Sequence, residues 1–183
     1  MRNLPNLITL VRLGLVPVMA YFAIREEYAI ALPIFLVAAV SDFADGYIAR
    51  ELKLVSRLGA ALDPVADKLN MFVATVLLAW QSHLPIWLAA AIIGRDIIIV
   101  AGVLAYRLII GPVDMKPTRL SKMNTFIEFG VLLLVMAMAA GWVGIRGWMP
   151  ALFVIVFVTV VASGAQYVWL GTRMALAEHR KKR

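Results

Sequence analysis

Six apolar runs separated by short polar turns dominate the chain and leave few folds open to it. They cover residues 10–24, 28–50, 59–81, 85–110, 121–140 and 150–170. A bilayer core takes about 20 apolar residues of helix. The pattern therefore predicts an all-α integral membrane protein with six transmembrane helices and a short juxtamembrane segment, residues 1–7, ahead of the first. Pro5 suits a helix start and Asn3 a cap. Hydrophobic residues make up 63% of the 183, well above the share usual in soluble domains. That leaves no room for a soluble domain of useful size, so residues 1–183 read as one membrane domain. With no cysteine, disulfides, thiolate chemistry and cysteine-ligated metals are excluded. No internal repeat or low-complexity tract is visible.

Charge placed inside such a chain needs a reason, and it is concentrated between Asp42 and Asp67. The stretch holds Asp42, Asp45, Gly46, Ala49, Arg50, Gly59, Asp63 and Asp67. An acid at membrane depth costs at least about 2.5 kcal/mol. Asp42, Asp45, Gly46, Ala49 and Arg50 stand at i, i+3, i+4, i+7 and i+8, one stripe of a helix, and Asp63 and Asp67 at i and i+4 share a face of the next. Two such helices side by side aim four carboxylates at one point. Their mutual repulsion calls for cations, and all-oxygen ligation suits Mg²⁺ or Mn²⁺ rather than zinc. Two ions in the cluster make a two-metal site for phosphoryl chemistry. Gly46 and Gly59 let a bulky group approach the backbone, Ala49 keeps the same face low, and Arg50 offers a fork for phosphate. Together they describe a nucleoside-diphosphate-type donor lying against a helix.

At every fixed position this stretch resembles the signature of the CDP-alcohol phosphotransferase family, D-x2-D-G-x2-A-R-x8-G-x3-D-x3-D. The resemblance implies a membrane enzyme that moves a phosphatidyl group from CDP-diacylglycerol to an alcohol and releases CMP. It also implies that Asp42, Asp45 and Asp63 are metal ligands, and that Asp67 is the base and touches metal as well. Spacing alone does not separate Asp67 from the other three. By the same resemblance Arg50 holds the donor phosphates, and Gly46, Ala49 and Gly59 shape the cytidine side. The opening Asn3-Leu4-Pro5-Asn6, with Thr9 and Arg12, is similar to that of bacterial members and implies that Asn6 and Thr9 help hold the donor. The other reading is a plain juxtamembrane start. A homodimer is a family expectation that small residues in the outer spans permit.

Downstream residues bear on the acceptor. Arg95-Asp96, then Met115-Lys116-Pro117-Thr118, then Leu120-Ser121-Lys122-Met123-Asn124-Thr125 resemble the mitochondrial-type, CMP-forming cardiolipin synthase branch. Leu62-Asp63-Pro64-Val65-Ala66-Asp67-Lys68 is shared with the phosphatidylglycerophosphate synthase branch. Two departures are Gly94, where the first branch has serine, and a short loop before Lys116. The expected acceptor is phosphatidylglycerol, with glycerol 3-phosphate as the alternative. Arg95, Lys116, Arg119 and Lys122 are the candidate acceptor-binding residues. Arg95-Asp96 also reads as a buried ion pair tying helices together. Glu128 has Lys122 or Arg95 as possible partners.

A net charge of +7 is carried by basic residues beside the apolar runs, which fits anionic lipid and topology rather than nucleic acid. The turns facing the opposite way hold only Arg25 and Arg146 among Lys and Arg. The positive-inside rule places both termini and the acid cluster at the cytoplasmic face. Arg12 interrupts the first run, which continues to about residue 24, so no cleavable signal is expected. A bacterial plasma (inner) membrane is the expected location. Trp142 and Trp148 read as interfacial anchors, the basic tail from His179 as a lipid contact, and His83 as structural. A cation or proton transporter is the reading from another class. It predicts acids spread along a path, whereas these cluster beside an arginine and two glycines.

Overall fold

The computed structural model describes residues 4–51, 57–109, 111 and 118–181, with side chains for residues 11, 13–41, 68–109, 111 and 118–176. Six helices account for nearly all of them: α1 (Leu4–Ile24), α2 (Tyr28–Glu51), α3 (Arg57–Trp80), α4 (Ile86–Ile109), α5 (Arg119–Ala139) and α6 (Met149–Lys181). A 3-10 turn, Arg146–Trp148, leads into α6. No strand occurs among the described residues.

By length and composition, three stretches among the described residues are long and apolar enough to cross a membrane: Ile86–Ile109, Arg119–Ala139 and Arg146–Leu176. The described apolar parts of the other three helices are shorter: Leu13–Ile24, Tyr28–Ser41 and Lys68–Trp80. Three helix bounds depart from expectation. α3 starts at Arg57 rather than residue 59, whereas α1, helical from Leu4, starts where Asn3 and Pro5 suggest. α5 starts at Arg119 rather than residue 121. α6 runs to Lys181 rather than residue 170, because Met174-Ala175-Leu176-Ala177-Glu178 are all strong helix formers and no proline follows.

The chain divides into two compact units. The first comprises Met1–Leu84 and Leu132–Arg146. In it α1 packs against α2 and α3, and α2 meets α3. Val16, Met19 and Ala23 of α1, and Tyr28, Ala31, Phe35 and Ala38 of α2, recur at helical spacing and are buried. Several of these are alanines, which let helix backbones approach. The opposite faces show Val18, Tyr21, Val37, Val40 and Phe72 outward, as helices facing lipid do. Gln81 ties the helix ends together: its Nε2 donates to Ala23 O at 2.8 Å and its Oε1 accepts from the Tyr28 hydroxyl. The His83 ring sits edge-on to Tyr28, with centroids 5.2 Å apart.

Three helix ends share one device. After α1, α3 and α5 a single residue turns left-handed: Glu26 (φ 61°), Ser82 (φ 62°) and Gly141 (φ 75°). The next amide then reaches back to the carbonyl five residues earlier: Glu27 to Phe22, His83 to Leu78 and Trp142 to Ala137, each at 2.9 Å. These are Schellman caps, which satisfy the orphan carbonyls of a helix end. Only Gly141 has the residue type the conformation favours.

The second unit comprises Pro85–Val131 and Gly147–Arg183, and in it α4 packs along α6. Leu88, Ala89, Ile92 and Arg95 form the buried stripe of α4. Met149, Phe153, Val156, Val160 and Ser163 form that of α6, at steps of three and four. Trp87 and Phe157 meet edge to face, with centroids 5.4 Å apart. Both buried stripes end on polar residues.

Candidate active site

The carboxylate stretch falls on two helix ends. Asp42, Asp45, Gly46, Ala49 and Arg50 occupy the last turns of α2, and Gly59, Asp63 and Asp67 the first turns of α3. The helical register expected from their spacing is therefore present on both elements. The side chains of these residues, and those of Asn6 and Thr9 on α1, lie outside the described ones, and Lys116 lies outside the described residues altogether. Among the described residues no group of three His, Asp or Glu comes together. The donor set in the signature is all carboxylate, which fits a hard divalent cation and not a soft one.

One turn beyond Asp67, α3 buries an amide that sequence reasoning passed over. Asn70 is 4% exposed. Its Nδ2 donates to Phe35 O of α2 at 3.5 Å, while its Oδ1 has no partner among the described residues. A polar residue three positions after a membrane-embedded acid was the available signal.

The second polar cluster is fully described. Arg95, in mid-α4, is 7% exposed. Its Nη1 donates to Asp96 Oδ1 at 2.7 Å, and its Nη2 to Ser121 Oγ at 2.6 Å and Ser163 Oγ at 2.8 Å. Adjacent helix positions do not face each other, so the arginine stem curls back to reach Asp96, which is 36% exposed. The ion pair itself stays within α4 and is half-exposed at Asp96; the bonds that tie helices together are those from Arg95 to Ser121 of α5 and Ser163 of α6. Both Nη groups are engaged by the chain itself, and only Nε lacks a partner among the described residues.

Ser121 lies in the first turn of α5, whose cap is Thr118. The Ser121 amide donates to Thr118 Oγ1 at 3.1 Å, the usual service of a threonine at a helix start. The Thr118 hydroxyl donates in turn to Gln166 Oε1 of α6 at 2.8 Å. Arg119 and Lys122 in the same turn are exposed, and no acid accompanies them. Two cations at the positive end of a helix dipole are unfavourable by some 0.3–1 kcal/mol each, a deficit that an anion placed there removes. Deeper in α5, the Asn124 amide donates to Glu128 Oε2 at 3.3 Å, with Asn124 fully buried. Sequence reasoning missed Ser163 and Gln166; two polar residues at i and i+3 in an otherwise apolar run were the only hint.

A membrane-type helical fold with this acid signature and a basic helix start defines a class. The pattern of the CDP-alcohol phosphatidyltransferase family matches residues 2–163, and the chain belongs to that family. Its relatives carry enzyme names. It is 38% identical over 180 residues to the "Cardiolipin synthase (CMP-forming) / mitochondrial hydrolase fusion protein" of Schizosaccharomyces pombe, covering 90% of this chain and 30% of that one. It is 36% identical over 154 residues to the "Cardiolipin synthase (CMP-forming)" of Homo sapiens, covering 75% and 50%. It is 47% identical over 105 residues to the "CDP-diacylglycerol--glycerol-3-phosphate 3-phosphatidyltransferase" of Pseudomonas fluorescens, covering 54% and 53%. The chain thus spans about half, or less, of the length of these curated relatives.

Proposed function

We propose that the protein transfers a phosphatidyl group from CDP-diacylglycerol to the hydroxyl of phosphatidylglycerol, giving cardiolipin and CMP. The observation that carries this reading is the unbroken Asp42–Asp67 signature inside a family match over residues 2–163. Two relatives named cardiolipin synthase, aligned over 90% and 75% of the chain, support the acceptor. A second reading, glycerol 3-phosphate as acceptor, is supported by the 47% identity to the Pseudomonas fluorescens phosphatidyltransferase.

In the reaction, the acceptor oxygen forms a bond to the phosphorus that carries diacylglycerol. The bond from that phosphorus to the oxygen bridging to CMP breaks, and CMP leaves with that oxygen. Asp67 takes the hydroxyl proton. Two divalent cations, Mg²⁺ or Mn²⁺, held by Asp42, Asp45, Asp63 and Asp67, supply neutralisation of the pyrophosphate charge when bound. Arg50 holds the donor phosphates, Gly46, Ala49 and Gly59 leave room for the cytidine, and Asn6 and Thr9 assist the donor. Lys116, Arg119 and Lys122 receive the acceptor phosphate, with Arg95 behind them. Six spans, one membrane domain over residues 1–183, both termini and the acids at the cytoplasmic face of a bacterial inner membrane, and a homodimer complete the reading.

The test uses purified protein in detergent–lipid micelles with CDP-diacylglycerol and Mg²⁺. Phosphatidylglycerol and glycerol 3-phosphate are offered separately and CMP is measured. Release with phosphatidylglycerol alone is expected. Release with glycerol 3-phosphate alone moves the protein to the second reading, and release with neither contradicts both.

A further inference from the structure

Polar residues on α6 behave in two ways. Thr159 and Thr172 turn their hydroxyls back onto their own helix, donating to Val156 O at 2.9 Å and Val168 O at 2.8 Å. Such bonds satisfy the group and hold nothing else. Ser163 and Gln166 reach away instead. Ser163 Oγ is fully buried and accepts from Arg95 Nη2, the nitrogen that also donates to Ser121 Oγ. Gln166 Oε1 accepts from the Thr118 hydroxyl. Between them stands Gly164, where an added Cβ would lie 3.6 Å from Arg95 Cγ, so the helix backbone rests against the arginine stem.

Two points on the first turn of α5 are therefore held, one through Arg95 at Ser121 and one directly at Thr118. The turn between them carries Arg119 and, just beyond, Lys122, both exposed. Lysine and arginine are long and flexible, and by themselves they attract any anion. Recognition of one phosphate-bearing alcohol over another needs the backbone beneath them to be fixed. We propose that Ser163 and Gln166 are positioning residues for acceptor selection, setting the α5 turn on which a phosphate-bearing acceptor alcohol is received. This rests on the acceptor role given above to Arg119 and Lys122.

The test is steady-state kinetics of CMP release in mixed micelles, with KM measured separately for CDP-diacylglycerol and for the acceptor that the wild type uses. Ser163→Ala and Gln166→Leu are expected to raise the acceptor KM roughly three- to tenfold, the size of one net hydrogen bond. The donor KM and kcat stay within about twofold in this account. Thr118→Ser keeps both the cap and the hydroxyl that donates to Gln166, and leaves the acceptor KM within about twofold. Thr159→Val, whose hydroxyl serves only its own helix, leaves both KM values unchanged. Gln166 is only part-buried, so its variants report even where Ser163→Ala fails to fold. An equal rise in both KM values, or a fall in kcat tracking a lower melting temperature with the acceptor KM unmoved, overturns the positioning role alone. A wild type that releases CMP with neither acceptor overturns the functional reading and the positioning role together.

Discussion

The two polar regions of this chain solve the problem of charge among apolar helices in opposite ways. Between Asp42 and Asp67 the charge is lopsided: five acids stand against Arg50, Lys53 and Arg57, and within the signature itself Asp42, Asp45, Asp63 and Asp67 stand against Arg50. Around Arg95 it is balanced within the protein: one guanidinium, one carboxylate and two serine hydroxyls, with contacts of 2.6–2.8 Å. A lopsided cluster is stable only with something added from outside, which in the proposed function is divalent cations and a substrate. A balanced one needs nothing and acts as a brace. Chemistry is expected in the first region and architecture in the second.

That contrast is breakable. The largest effect belongs to Asp67→Asn, which removes the proposed base: kcat should fall by about 10²–10⁴, read as CMP release. The melting temperature of the metal-free protein should hold or rise, since one of four repelling charges is gone. The reverse pattern is expected of Arg95→Met. Removing one partner of a buried pair costs 3–5 kcal/mol where the other stays buried. Asp96 is 36% exposed and partly solvated, so a loss of about 3 kcal/mol is expected in denaturant or thermal unfolding. Should Asp67→Asn unfold the protein, or Arg95→Met leave its stability intact, the division into chemistry and brace fails.

Smaller effects sharpen the picture. Thr118→Val removes the α5 cap and the bond to Gln166, with an expected cost of about 1 kcal/mol, again read from unfolding. Thr118→Ser keeps the hydroxyl and most of that stability. Smallest is Glu26→Gly, at the left-handed cap after α1. Relieving a non-glycine residue at φ 61° should stabilise by about 0.5 kcal/mol, the relief of strain being partly offset by the freer unfolded chain. A loss of stability there would mean that the Glu26 side chain contributes more than the turn costs.

Much of this was legible in the residues. Six apolar runs became six helices because hydrophobic length is a strong signal, and the i, i+3, i+4 register of Asp42, Asp45 and Gly46 is carried by α2. Arg95-Asp96 was visible as a pair, and tying helices together was one of its two readings. Its partners were not visible. Ser121 and Ser163 are 42 residues apart, and a lone serine in an apolar run has no periodicity that names its neighbour. Only tertiary packing brings both to one nitrogen. The helix ends were least legible. α6 continues past residue 170 because Gly171 and Arg173 do not stop a helix with strong formers beyond them. The caps at Glu26 and Ser82 use residues that sequence patterns do not associate with left-handed turns.

Divalent-dependent CMP release from CDP-diacylglycerol is the most direct test of the proposed activity. Purified protein would be assayed in lipid micelles with phosphatidylglycerol and, separately, glycerol 3-phosphate, then treated with EDTA and resupplied with Mg²⁺ or Mn²⁺. The expected result is release with one acceptor, loss on chelation and recovery on resupply, because the four carboxylates of the proposed site would not hold a pyrophosphate without cations. Release that persists under chelation, or no release with either acceptor at any divalent concentration, would contradict it.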